Sequence, residues 1–177
     1  MASPTYGNIV FGCRDIKITN IGGSVQEDLG AAVTAEFVPE LEGGILKGDD
    51  ANKGSVFYIV GGQLKFSAGQ YSAAALAIMM GITPTTTGST PNEVTTMQLN
   101  AGQRLPYFKF YAQAMDEGSG DLHLLCYKVK LSGIPGFVKL ENGNFRMNEF
   151  EAECFDDGTN GVAKSVQHET AAAVPTS

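Results

Sequence analysis

Residues 105–133 read LPYFKFYAQAMDEGSGDLHLLCYKVKLSG, and their alternation decides the fold class. From Phe108 the apolar side chains step by two, through Phe110, Ala112 and Ala114, with Tyr107, Lys109, Tyr111 and Gln113 between them. The return stretch sets Leu125, Tyr127, Val129 and Leu131 against Cys126, Lys128 and Lys130. Period two on both sides of a turn predicts an antiparallel hairpin with one buried face. The connection, residues 116–121, is acidic and glycine-rich, as a hairpin turn needs.

Upstream, residues 15–21 read as a strand with Ile16 and Ile18 on one face, followed by a loop at 22–30. Residues 32–38 alternate again, with Val33, Ala35 and Phe37 inward and Thr34 and Glu36 outward, until Pro39 ends regular pairing or marks an edge. Residues 41–54, LEGGILKGDDANKG, carry four glycines among acids and bases and predict a long loop. Loops of that length are uncommon in a compact domain unless they serve a function. Residues 55–60 are apolar after the first, Gly61-Gly62 breaks the run, and 63–68 resume it. Residues 71–80 form the one convincing helix, with Ser72 suited to the N-cap and Gly81 to the left-handed position after the last turn.

Downstream, ITPTTTGSTPN (82–92) predicts an internal linker and 93–99 a strand. Residues 136–141 and 145–155 predict a second hairpin around 141–144, with Phe150, Ala152 and Cys154 opposite Glu149, Glu151 and Glu153. A last strand at 162–168 precedes a tail, 170–177, expected to be loose in isolation. The sum is a mainly β protein of about eight strands with one flanking α-helix, predicted as a β-sandwich or squat barrel. One domain spans 1–177, with an N-terminal arm (1–14), the long loop (41–54) and the C-terminal tail (170–177).

Composition narrows the function. The 177 residues suffice for a sizeable core, and 43% hydrophobic with 18% charged content is that of a folded chain. No run of about 18 apolar residues occurs, so no membrane helix is expected, and the N-terminus lacks the pattern of a secretory signal. The formal charge of −7 opposes any grip on DNA phosphates, which needs Lys and Arg to displace counterions. A surface past which DNA slides remains open. Cys13, Cys126 and Cys154 are odd in number and show no CxxC spacing, which predicts buried free thiols.

Catalytic signatures are missing from the sequence. It contains no nucleophile elbow, phosphate-binding glycine loop, dinucleotide fingerprint or HExxH helix, and we expect neither catalytic residues, metal ligands nor cofactors. His123 beside Asp121 reads as an ordinary polar histidine. Glu149, Glu151 and Glu153 lie along one flat strand face and do not converge as calcium ligands do. Lys128 and Lys130 form a short basic stripe able to pair with them across strands.

The 105–133 hairpin, with GGQLKFSAGQYSAAALAIMMG (61–81), AAVTAEFVPELEG (31–43) and SVQHETA (165–171), resembles tail tube (major tail) proteins of long non-contractile-tailed bacteriophages. The resemblance spans roughly residues 15–171 and rests on the order and spacing of these stretches. It implies a structural virion protein, not an enzyme, assembled in the host bacterial cytoplasm. Subunits of that family form hexameric rings that stack into a hollow tube, which double-stranded DNA traverses without specific binding. Tail tip, terminator and tape measure proteins are its partners, and no membrane is involved. Within that picture Lys47, Asp49, Asp50, Asn52 and Lys53 are candidate inter-ring residues, and Glu36, Glu149, Glu151 and Glu153 are candidate lumen acids. The tube protein of a contractile tail or secretion machine shares the fold and is the alternative. A free β-sandwich binding module is less favoured, because such sites use exposed tryptophan and this chain has none.

Overall fold

The structure is a computed structural model that describes residues 10–47, 52–70, 72–116, 120–133 and 147–175. In chain order its elements are β1 (Val10–Asn20), β2 (Gln26–Asp28), β3 (Ala32–Lys47), β4 (Asn52–Ala68), α1 (Ala73–Met80), β5 (Thr85–Thr87), β6 (Val94–Thr96), β7 (Phe108–Asp116), β8 (Asp121–Gly133), β9 (Asn148–Cys154) and β10 (Lys164–His168). The chain is mainly β with one short helix. Eight strands form an antiparallel sheet in the order β2-β1-β7-β8-β9-β4-β3, with β10 on the edge of β8 beyond β9. The other two, β5 and β6, pair separately.

The decisive hairpin forms as β7 and β8, but with a phase change that the alternation did not reveal. Phe108 pairs with Val129, whereas Phe110 pairs with Cys126, so β8 spends three residues where β7 spends two. Such a bulge reverses which parity faces the core. Consequently Cys126, Val129 and Leu131 enter the main core, while Leu125 and Tyr127 turn to the opposite face. The expectation of one inward row from Leu125 to Leu131 is corrected accordingly.

The main core joins Ile16 and Ile18, Leu64 and Phe66, Phe108 and Phe110, Phe150 and Ala152 beneath the helix residues Leu76, Met79 and Met80. Phe66 stacks on Phe150 at 4.9 Å and meets Phe110 at 4.8 Å, although β8 and β9 separate β4 from β7 in the ladder. The sheet therefore curls about these rings, and β1 comes against β3 without pairing to it. Among the described residues it does not close into a barrel. Capping of the helix follows the sequence reading: Ser72 Oγ accepts from Ala75 N at 3.3 Å, and Gly81 is left-handed at φ 67°. A helix this short is held by its packing, not by intrinsic stability.

Four loop assignments change. Residues 22–30 contain β2, and the 82–92 linker contains β5. The long loop at 41–54 is largely strand: β3 runs through Pro39 to Lys47 and β4 begins at Asn52. Pro39 is tolerated because β3 is an edge strand, paired on the β4 side alone. The tail is docked rather than loose through Pro175, with Val174 buried. The predicted arm at 1–14 is strand from Val10; residues 1–9, and the turn of the second hairpin at 141–144, lie outside the described residues.

Candidate functional site

β3 and β4 are each about twice the length that the core uses. From Gly62 to Ala68, β4 pairs with both β3 and β9, and Leu64, Phe66 and Ala68 are buried. Below Gly62 it pairs with β3 alone, and the two strands run on as a two-stranded ribbon. Gly61-Gly62 marks the change. A Cβ at Gly62 would lie 2.3 Å from the Phe37 ring, so the position admits glycine only while that ring packs against it. A register shift between Glu40 and Leu41 sits at the same level.

Register places Leu41 with Ile59, Gly43 with Phe57 and Ile45 with Ser55 on one ribbon face, and Glu42 with Tyr58, Gly44 with Val56 and Leu46 with Gly54 on the other. The Phe57 side chain lies over Gly43. Both faces are apolar and uncovered: Leu46 is 69% exposed, Val56 68%, Leu41 61%, Ile59 59% and Phe57 57%. Contiguous apolar surface of this kind marks an interaction site, and an unpaired strand edge beside it is a template for another chain. At the ribbon base an apolar hollow of about 560 Å³ opens among Cys13, Val33, Phe37, Ala114, Leu122 and Leu124.

The acids predicted to share a surface do so. Glu36 pairs with Lys65, which pairs with Glu151, and Glu149 and Glu153 flank Glu151 on β9. All four acids are exposed on the face away from the core. Lys65 Nζ lies 3.3 Å from Glu151 Oε1, but both are more than half exposed and water screens the pair. Lys130 faces Glu153 in register. Lys128 and Lys130 nevertheless place their ammonium groups 5.5 and 5.3 Å from the Tyr107 ring, and Tyr107 meets Phe155 edge-on at 5.7 Å. The basic stripe is thus organised by an aromatic pair.

Of the candidate inter-ring residues, Lys47 and Asn52 pair at the far end of the ribbon and Lys53 follows in β4, while Asp49 and Asp50 lie outside the described residues. Sequence reasoning missed Leu41, Leu46, Val56, Phe57 and Ile59 as an exposed apolar surface. It took 55–60 for a strand and 41–54 for a loop, although residues 55–59 each have a register partner within 41–45. The signal was present in Gly43, which sits on a strand beneath the Phe57 ring and leaves room for it.

Nothing in the remaining chemistry converges on a substrate. Among the described residues no three His, Cys, Asp or Glu side chains gather as a metal site. Cys126 and Cys154 are buried free thiols and Cys13 is half-buried. A hydrogen bond with the Cys154 sulfur, together with burial, pushes the Cys126 thiol far up. A thiol in that condition is inert. No protein-family model matches the chain, and no curated protein matches it.

Proposed function

We propose that this chain is a structural virion protein, a tail tube subunit of a long non-contractile-tailed phage, which self-assembles into stacked hexameric rings. The observation that carries the reading is the ribbon, a stretch of paired strand with exposed apolar side chains on both faces and no other element of the described residues paired to it. A monomer gains nothing from such a surface, whereas copies of itself gain both burial and strand pairing. A head-to-tail arrangement that closes into a ring satisfies the free edges without open-ended aggregation. The curled sheet acts in this reading as a sandwich whose exposed charged face, with Glu36, Glu149, Glu151 and Glu153, lines the channel. Six copies at −7 each create a field that repels phosphates, so DNA slides through instead of binding.

Residues 47–53 bridge one ring to the next. Tail tip, terminator and tape measure proteins are the further partners, and the virion is the site of action. Electron microscopy of the concentrated, purified chain tests the proposal: tubes or rings are expected, and a strictly monomeric species under all assembly conditions contradicts it. Removing residues 45–53 is expected to block stacking while the sheet still folds, and unimpaired tube growth would refute the bridging role.

A further inference from the structure

The face of β1, β7 and β8 opposite the main core is covered by the chain's own C-terminal segment. β10 pairs with residues 121–125 of β8, and the chain then crosses the sheet to Pro175. Its apolar anchor is Val174, buried against Tyr111 and Leu125, with Val166 and Tyr127 beside them. Two of its polar ties meet at Ala172 and a third holds Pro175. Ala172 N donates to Asp121 Oδ2 at 2.6 Å, and Gln113 Nε2 donates to Ala172 O at 3.1 Å. Gln26 Nε2 donates to Pro175 O at 2.8 Å. Asp121, Gln113 and His123 are all buried.

His123 is the unusual member. It is 1% exposed, the backbone of Ala172 bonds its ring, and Nε2 has no partner. The His168 ring of β10 lies 4.6 Å away, centroid to centroid. A proton on His123 places a positive charge in a buried site next to a second imidazole. The other charged groups around the seat are Asp121 on β8, Arg14, Asp15 and Lys17 on β1, and Glu169 after β10. Only Asp121 directly offsets that charge, and its carboxylate is already engaged by the strap.

We propose that residues 164–175 form a latch which acid releases, baring the β8 edge at 121–125 and the Tyr111–Leu125 shelf. Two groups act in the same direction. Burial, then His168, holds His123 below its ordinary 6.5, so the closed latch loses stability as pH falls beneath that value. The Ala172 hydrogen bond holds Asp121 below its ordinary 3.8, which adds a second loss at lower pH as the carboxylate takes up a proton. The strap opens before the rest because, beyond five register pairs with β8, it hangs on one buried apolar anchor and a few polar ties, whereas β4 and β9 share seven register pairs over the aromatic core. This holds whether or not the chain builds a tube.

Hydrogen exchange read by mass spectrometry on the full chain tests it, with rates corrected for the intrinsic effect of pH. Between pH 7.5 and 5.5, protection of residues 164–168 and of Ala172 is expected to fall by up to about tenfold, the limit for a group whose open form titrates at its ordinary value. Protection of residues 148–154 stays constant. His123→Gln is expected to abolish the difference, and Asp121→Asn to keep it while removing the further loss below about pH 4. Unchanged strap protection, or loss from strap and β9 together, overturns the latch. If His123→Gln lacks a folded sheet by circular dichroism, the contrast of strap and β9 in the unmutated chain decides alone.

Discussion

The two halves of β4 have nearly the same appetite for burial and opposite fates. Residues 62–68 sit between β3 and β9 with Leu64 and Phe66 in the core, while Val56, Phe57, Tyr58 and Ile59 stand in solvent on a two-stranded ribbon. Apolar content alone therefore does not say whose core a strand belongs to. The proximal half completes the subunit. The distal half spends apolar side chains on a surface that stands exposed among the described residues, which is the physical basis for proposing that it makes contacts between copies.

The largest expected effect lies in the distal half and in assembly. Phe57→Ser with Ile59→Ser is expected to raise the concentration at which particles form by more than tenfold, with far-ultraviolet circular dichroism unchanged; particle formation at the original concentration would break the contrast. In the proximal half Phe66→Ala is expected to cost about 3–5 kcal/mol of folding stability, because it removes a ring in contact with both Phe110 and Phe150. Denaturant unfolding measures that. Phe57→Ala, measured the same way, is expected to fall well short of the core value.

Glycines sharpen the same comparison on a smaller scale. Gly62→Ala is expected to cost about 1–3 kcal/mol, since its methyl would run into the Phe37 ring and Val38 O. Gly44→Ala meets nothing within 4 Å and is expected to stay within about 0.5 kcal/mol. Equal losses at the two sites would mean that the ribbon is packed as tightly as its base. The smallest effect is that of Lys17→Gln. Lys17 Nζ lies 2.9 Å from Asp28 Oδ2 and 3.4 Å from Asp15 Oδ2, near solvent, so the loss is expected below about 1 kcal/mol. Partial burial pushes Asp28 up, but Lys17 and the Gly30 N–H outweigh it and leave the carboxyl lower than 3.8. The contribution is therefore present at neutral pH and vanishes as Asp28 is protonated in acid, where the variant should match the original chain.

Period-two alternation located β7, β9 and the proximal part of β3 because each turns one row of side chains to the main core and the other away from it. β9 is the cleanest case, with Phe150, Ala152 and Cys154 buried and three glutamates exposed. The same rule failed on β8, where Leu125 and Cys126 are both apolar and the bulge between them and Val129 leaves no trace in hydropathy. It failed differently on the tail. Tyr111 and Gln113 look like outward residues, yet residues 166–175 cover them, a tertiary contact that no local pattern encodes. Burial, with Tyr127 beside it, pushes the Tyr111 hydroxyl up to about 12. The acids of the charged face were legible because register only had to keep them in phase. The ribbon was not, because glycine, proline and charge in 39–54 mimic a loop when pairing across a distant turn is unseen.

The central claim is that other copies of this chain cover the distal half of β4. Ile59→Cys provides the direct measurement: maleimide labelling at that position, resolved by peptide mass spectrometry, is compared between a dilute sample and a concentrated one whose particle size is followed by sedimentation. The account predicts full labelling of the small species and strong protection in the large one. Equal labelling of both, or no large species at any concentration with the unmutated chain, contradicts it.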